Sequence, residues 1–139
     1  MIRSYECVIP GKGAANVEKK ILVVDDEKKI VDLLYHFLAK EGFKVFTATD
    51  GESCLRIARE EAPDLIVLDV IMPGMDGGDI ASSLKQDIKT KDIPVIFLTG
   101  ALRDEEGVKD EGQIGNYLFI SKSSDINQQI DKIKKVLGV

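Results

Sequence analysis

With 139 residues, 44% hydrophobic and 31% charged, the chain has room for one domain with its own core and lacks the composition of a fibrous or disordered protein. A net charge of -5 excludes the broad basic surface that non-specific binding to nucleic acid or an anionic membrane requires. Two cysteines without a CxxC pair, a single histidine and no apolar run near the roughly 18 residues of a membrane span exclude a disulfide framework, a histidine-based metal centre and a transmembrane helix, and predict a reducing, cytoplasmic setting.

Residues 1–18 hold Pro10, Gly11 and Gly13 without helical or strand period, and they lack the apolar core of a signal peptide. They read as a mobile leader with a short extended piece around Cys7, Val8 and Ile9. Next, Ile21, Leu22, Val23 and Val24 form a strand apolar on both faces, which ends in Asp25, Asp26 and Glu27. Carboxylates at the end of a buried run are costly unless something cationic collects there. Over 27–40 a helix is predicted, with Ile30, Leu33, Leu34, Phe37 and Leu38 on its stripe, His36 on its solvent side and Gly42 at its end.

A second strand over 43–49 leads through Gly51 into a helix with Cys54, Leu55, Ile57 and Ala58 on its apolar face, so Cys54 reads as core packing. After Pro63, residues 64–69 repeat the first pattern, a buried apolar strand ending in Asp69. Turn chemistry over 72–77 precedes a modest helix marked by Ile80, Ala81 and Leu84. Pro94 opens another buried strand, which runs to the hydroxyl of Thr99. Over 101–115 the apolar residues are sparse, and Gly107 and Gly112 each cost a helix roughly 1 kcal/mol, which predicts a short or frayed helix. A fifth strand over 117–122 ends in Lys122, and a helix over 125–137 carries Ile126, Ile130, Ile133 and Leu137 at helical spacing.

Strands alternating with helices predict a doubly wound α/β fold, a parallel sheet with right-handed crossovers and helices on both faces. In such a sheet the strand carboxyl ends share one edge, where ligands bind. That edge would collect Asp25, Asp26, Asp69, Thr99 and Lys122. Taken singly, each has a plain structural account: a helix N-cap for the acid pair, a solvated lysine, a threonine at the rim of the core. Taken together, three carboxylates repelling by roughly 4 kcal/mol per close pair at an effective dielectric of 20 demand a counter-charge. Lys122 and a hard divalent ion, Mg2+ or Mn2+, would supply it, and such an ion points to phosphoryl chemistry.

Val24-Asp25-Asp26-Glu27, the run from Asp69 through Met72-Pro73-Gly74 to Asp76-Gly77, Thr99-Gly100 and Phe119-Ile120-Ser121-Lys122 resemble, in order and spacing, the receiver domain of two-component response regulators. The resemblance covers 19–139 and implies a flavodoxin-like, five-stranded sheet in the order 2-1-3-4-5. It implies that Asp69 is the phosphoacceptor and that the domain is a signalling module rather than an enzyme, catalysing only phosphotransfer onto its own Asp69 and the slow hydrolysis of that group. Asp26, Asp69 and the main-chain carbonyl of Ile71 would bind the metal directly, and Asp25 through metal-bound water. Thr99 would hydrogen-bond the phosphoryl group, Lys122 would pair with it, and Thr99 and Phe119 would form the switch. The implied partners are a histidine kinase or histidine phosphotransfer protein and a second receiver.

Three features depart from the family's pattern, the first being the glycine-bearing fourth helix region over 101–115. Ser123 stands where a cis proline usually follows the lysine, and since a non-proline cis bond costs about 3 kcal/mol, the sequence leaves open whether that peptide is cis or the loop is trans and differently shaped. Phe119 stands where the switch residue is often tyrosine. Other classes fit less well. A phosphohydrolase of the haloacid dehalogenase type needs a second acid where Ile71 stands, and a flavin module needs a Gly/Ser/Thr-rich loop where Asp25, Asp26 and Glu27 stand. A receiver used purely for docking is the alternative within the family. After Leu137 no residues remain for an output domain, so a stand-alone receiver or one piece of a longer protein is expected.

Overall fold

Strand β1 (Lys20–Val24) buries four consecutive residues, and its alternate side chains enter two different cores. Strand side chains alternate between faces, so a strand apolar throughout must be covered on both sides. The computed structural model describes residues 19–72, 74, 77–100, 113–114 and 117–139. The remaining elements are α1 (Lys28–Lys40), β2 (Lys44–Ala48), α2 (Gly51–Glu61), β3 (Leu65–Asp69), α3 (Gly77–Gln86), β4 (Val95–Thr99), β5 (Gln113–Ile114), β6 (Tyr117–Ser121) and α4 (Ile126–Leu137).

Ile21 and Val23 join Leu65, Val67, Ile96, Leu98 and Ile120 under α1 and α4, while Leu22 and Val24 join Ile66, Leu68, Val95 and Phe97 under α2 and α3. The sheet order is β2-β1-β3-β4-β6-β5, with every pairing parallel except β5 on β6. Its five parallel strands therefore stand in the order expected from the sequence. The antiparallel β5 is an addition, since Gln113 and Ile114 fall where a frayed helix was predicted. The rest of that predicted helix, and the leader over 1–18, lie outside the described residues.

The stripe of α1 also needs correction. Val31, Leu34 and Leu38 are buried, whereas Leu33 is 45% exposed. Val31, Leu34 and Leu38 follow the three-to-four spacing of one helix face, and Leu33 lies about 100° round the axis from Leu34. His36 is exposed and meets Phe37 edge-on at 5.3 Å, as a surface histidine does. Cys54 is fully buried, and burial pushes its thiol up to about 12, with the charge of Asp50 adding to it. It is therefore inert packing. No helix among the described residues is long and apolar enough to cross a membrane.

One glycine fixes the approach of α3 to the sheet edge. A Cβ on Gly77 would stand 2.6 Å from the carbonyl oxygen of Asp69 and 2.9 Å from the Cα of Val70, while the Gly77 N–H donates to the Val70 carbonyl at 2.7 Å. Both clashes are with backbone, so Gly77→Ala must displace β3 or α3. The expected cost is about 1–3 kcal/mol in urea unfolding. An unchanged unfolding midpoint would show that this approach is not tight.

Candidate functional site

Register and side-chain parity together decide which residues meet at the sheet edge. Val24 pairs with Leu68 and Leu98 with Asp69, so the residues following β1 stand beside the end of β3. Asp25 and Asp69 continue the parity of Val23 and Val67, and Lys122 continues that of Ile120. All three come from the α1/α4 side of the sheet. Thr99 has the opposite parity, shared with Phe97 and Phe119.

Asp25 is fully buried. Its Oδ1 accepts the N–H of Glu27 at 2.9 Å, and its Oδ2 lies 3.0 Å from Lys122 Nζ without a well-directed hydrogen bond among the described residues. Asp69 is 3% exposed, with Oδ1 accepting the N–H of Ile71 at 3.3 Å and lying 3.4 Å from Lys122 Nζ. Asp26 is exposed and opens the cluster to solvent. One carboxylate oxygen from each of Asp25, Asp26 and Asp69 lies within 4.8 Å of the others.

Burial pushes the Asp69 carboxyl up to about 6, and the charge of Asp25 adds to this while Lys122 and the Ile71 N–H work against it. Burial by itself would lower the Lys122 ammonium, but the carboxylates of Asp25, Asp69 and Glu27 outweigh it and raise its pKa, so the lysine stays charged. One ammonium against three clustered acids leaves the pocket negative. An all-oxygen set with a buried, poorly satisfied Asp25 Oδ2 and an open side at Asp26 fits a hard divalent cation that keeps some of its water.

Thr99 stands buried at the next strand end, its carbonyl accepting the N–H of Lys122 at 2.8 Å. Phe119 is half-buried and stacks on Phe97, ring centroids 5.2 Å apart. The Ile71 side chain is 72% exposed, so only its main chain faces the acids. The strand ends expected from the sequence to meet do lie together. The sequence reading missed the part played by Glu27, whose Oε1 lies 3.3 Å from Lys122 Nζ across 95 positions of sequence. The only signal was a third acid following the pair.

The loop after Lys122, whose peptide isomer the sequence left open, has no cis peptide. Side chains hold it instead. The hydroxyls of Ser121 and Ser123 share a hydrogen bond at 2.8 Å, and the Ser123 N–H donates to Ser121 Oγ at 3.2 Å.

The response regulator receiver domain family model matches residues 21–134. This chain belongs to that family. The receiver is 40% identical over 122 residues to the alkaline phosphatase synthesis transcriptional regulatory protein PhoP of Bacillus subtilis (strain 168), a match covering 87% of this chain and 49% of that protein. The chain therefore spans about half the length of that relative. Among solved structures, the N-terminal domain of a response regulator receiver protein from Methanoculleus marisnigri JR1 is 36% identical with a TM-score of 0.61, covering 86% of this chain and 97% of that one. The chemotaxis response regulator CheY4 of Vibrio cholerae is 27% identical with a TM-score of 0.75, covering 86% and 99%. The receiver is thus a signalling module of the two-component class.

Proposed function

We propose that this receiver accepts a phosphoryl group on a carboxylate oxygen of Asp69 from a histidine kinase or histidine phosphotransfer protein. The observation that carries the proposal is the setting of Asp69. It is a buried carboxylate at a strand end, 3.4 Å from a permanently charged lysine, within 4.8 Å of two further acids of which one is open to solvent. A new Asp69 O–P bond forms as the N–P bond of the donor phosphohistidine breaks, and the leaving imidazole takes up a proton.

Lys122 is held between Asp25, Glu27 and Asp69, so it can turn to a phosphoryl oxygen without leaving the pocket. The hydroxyl of Thr99, at the adjoining strand end, is assigned a second phosphoryl oxygen. Asp26 and Asp69, with the main-chain carbonyl of Ile71, are the residues that would hold Mg2+, and Asp25 would support it from further out. When bound, the ion supplies the positive charge that the three acids lack and offsets the charge of the entering phosphoryl group. Movement of Thr99 toward that group would be followed by the Phe119 ring, now stacked on Phe97, changing the surface around β6 and α4 where a partner or a second receiver would bind.

Incubation with acetyl phosphate and Mg2+ tests the reading. A single base-labile adduct of about 80 Da is expected by intact mass, as acyl-phosphate chemistry requires, and chelation of the metal should prevent it. An unmodified protein, with the cation present and the donor in excess, would contradict the proposal.

A further inference from the structure

Five residues with polar side chains are buried among the described residues: Asp25, Asp69, Thr90, Thr99 and Gln129. Three belong to the site, and the Thr90 hydroxyl donates to the Leu84 carbonyl at 2.6 Å. Gln129 is different. It lies three residues after Ile126, on the stripe that Ile130 and Ile133 carry into the core, where an aliphatic side chain is the ordinary occupant. Burying an amide there is unfavourable unless it is hydrogen-bonded. Its Nε2 lies 2.9 Å from the carbonyl oxygen of Ser124, 3.4 Å from that of Lys122 and 3.5 Å from that of Ser121. An amide nitrogen has two protons. One goes to Ser124, and the other is shared between the carbonyls of Lys122 and Ser121.

Resting on the function proposed above, we infer that Gln129 is a positioning residue for phosphotransfer: it grips the backbone on both sides of Lys122 and so fixes where the lysine's ammonium starts from. The strand side of Lys122 is already tied, since its N–H donates to Thr99. On the loop side the chain turns through Ser123 and Ser124 without a proline. The hydroxyls of Ser121 and Ser123 bond each other and the Ser123 N–H, and the Ser121 carbonyl also accepts the N–H of Ser124 at 3.1 Å, so among the described residues it is the carbonyls of Lys122 and Ser124 that depend on the amide from α4. Releasing them lets the Cα of Lys122 wander. Small displacements of a positioned group cost up to about a hundredfold in rate.

The test uses the full chain with acetyl phosphate and Mg2+ and compares the parent with Gln129→Leu, which keeps the volume but donates nothing, and Gln129→Glu, which keeps the shape but sets a carboxylate against the carbonyls. Both should lower the maximal phosphorylation rate by about tenfold, Glu more than Leu, with the half-saturating donor concentration and the Mg2+ dependence unchanged. In a Lys122→Ala background, Gln129→Leu should have no further effect, because the two act through one group. Amide exchange by NMR, without donor or metal, should speed up at Ser123 and Ser124 of the loop in Gln129→Leu and not in the strands.

Equal slowing in both backgrounds would overturn the inference, as would unaltered exchange at the loop or a parent-like rate in both variants. The exchange measurement needs no phosphorylation. A parent that exchanges as described but takes no phosphoryl group would therefore sink the proposed function while leaving the Gln129 grip intact, and would overturn only its part in phosphotransfer.

Discussion

Replacing Asp69 with asparagine is expected to abolish the phosphoadduct and, without divalent cation, to make the protein more stable above about pH 6. The first effect follows because an amide oxygen cannot form the acyl phosphate. The second follows from where the carboxylate sits. Its folded pKa is raised to about 6 from an ordinary 3.8, chiefly by burial and then by Asp25. Between those values the folded state binds the proton more tightly than the unfolded chain, so the stability of the parent declines as pH rises from about 3.8 to about 6 and then levels off. The asparagine side chain carries no charge to bury. Thermal unfolding as a function of pH should show the two proteins converging in acid, separating between about pH 3.8 and the folded pKa of about 6, and keeping a constant gap above it, with the variant higher. A variant less stable than the parent at pH 7 would mean that the contact of Asp69 with Lys122 outweighs its repulsion by Asp25.

Magnesium should act on the same imbalance from the other side. Three acids share one ammonium inside the pocket, so a cation that binds only the folded state raises its stability, by about 1.4 kcal/mol at ten times the dissociation constant. For a chain of this size that is a rise of roughly 3–5 °C in Tm. Asp26→Ala should remove most of the rise, because Asp26 is the exposed member of the cluster and its removal leaves the buried pair and Lys122 in place. Lys122→Ala should leave metal stabilisation intact and abolish only the lysine's share of the phosphorylation rate. A parent melting curve indifferent to millimolar Mg2+ would contradict the metal assignment.

How far the sequence was legible depended on how many neighbours a residue needs to show its role. Strands such as β3 and β4, buried at every position, can be recognised because burial on both faces leaves a run of Leu, Ile, Val and Phe with no other explanation. Once they are parallel, the residues that end them must gather, so Asp25, Asp69 and Lys122 could be joined before any distance was known. The phase of α1 was harder. Leu33 and Val31 are both apolar, and only the packing of the helix on the sheet decides that the leucine faces out. A two-residue strand such as β5 has no period to detect. Glu27 and Gln129 escaped for another reason: each owes its role to partners made adjacent by folding, Glu27 to Lys122 and Gln129 to a loop whose carbonyls have no sequence signature. A polar residue on an otherwise apolar helical stripe is the one trace Gln129 leaves.

The central claim, that Asp69 carries the phosphoryl group, is tested most directly by trapping the adduct in place. The parent is phosphorylated with acetyl phosphate and Mg2+, reduced with borohydride, which converts an acyl phosphate to the alcohol, and digested for peptide mass analysis. The expected result is homoserine at position 69 in the phosphorylated sample alone, with Asp25 and Asp26 recovered as aspartate. Homoserine at 25 or 26, or an unreduced Asp69 in a protein that carries the adduct, would contradict the account.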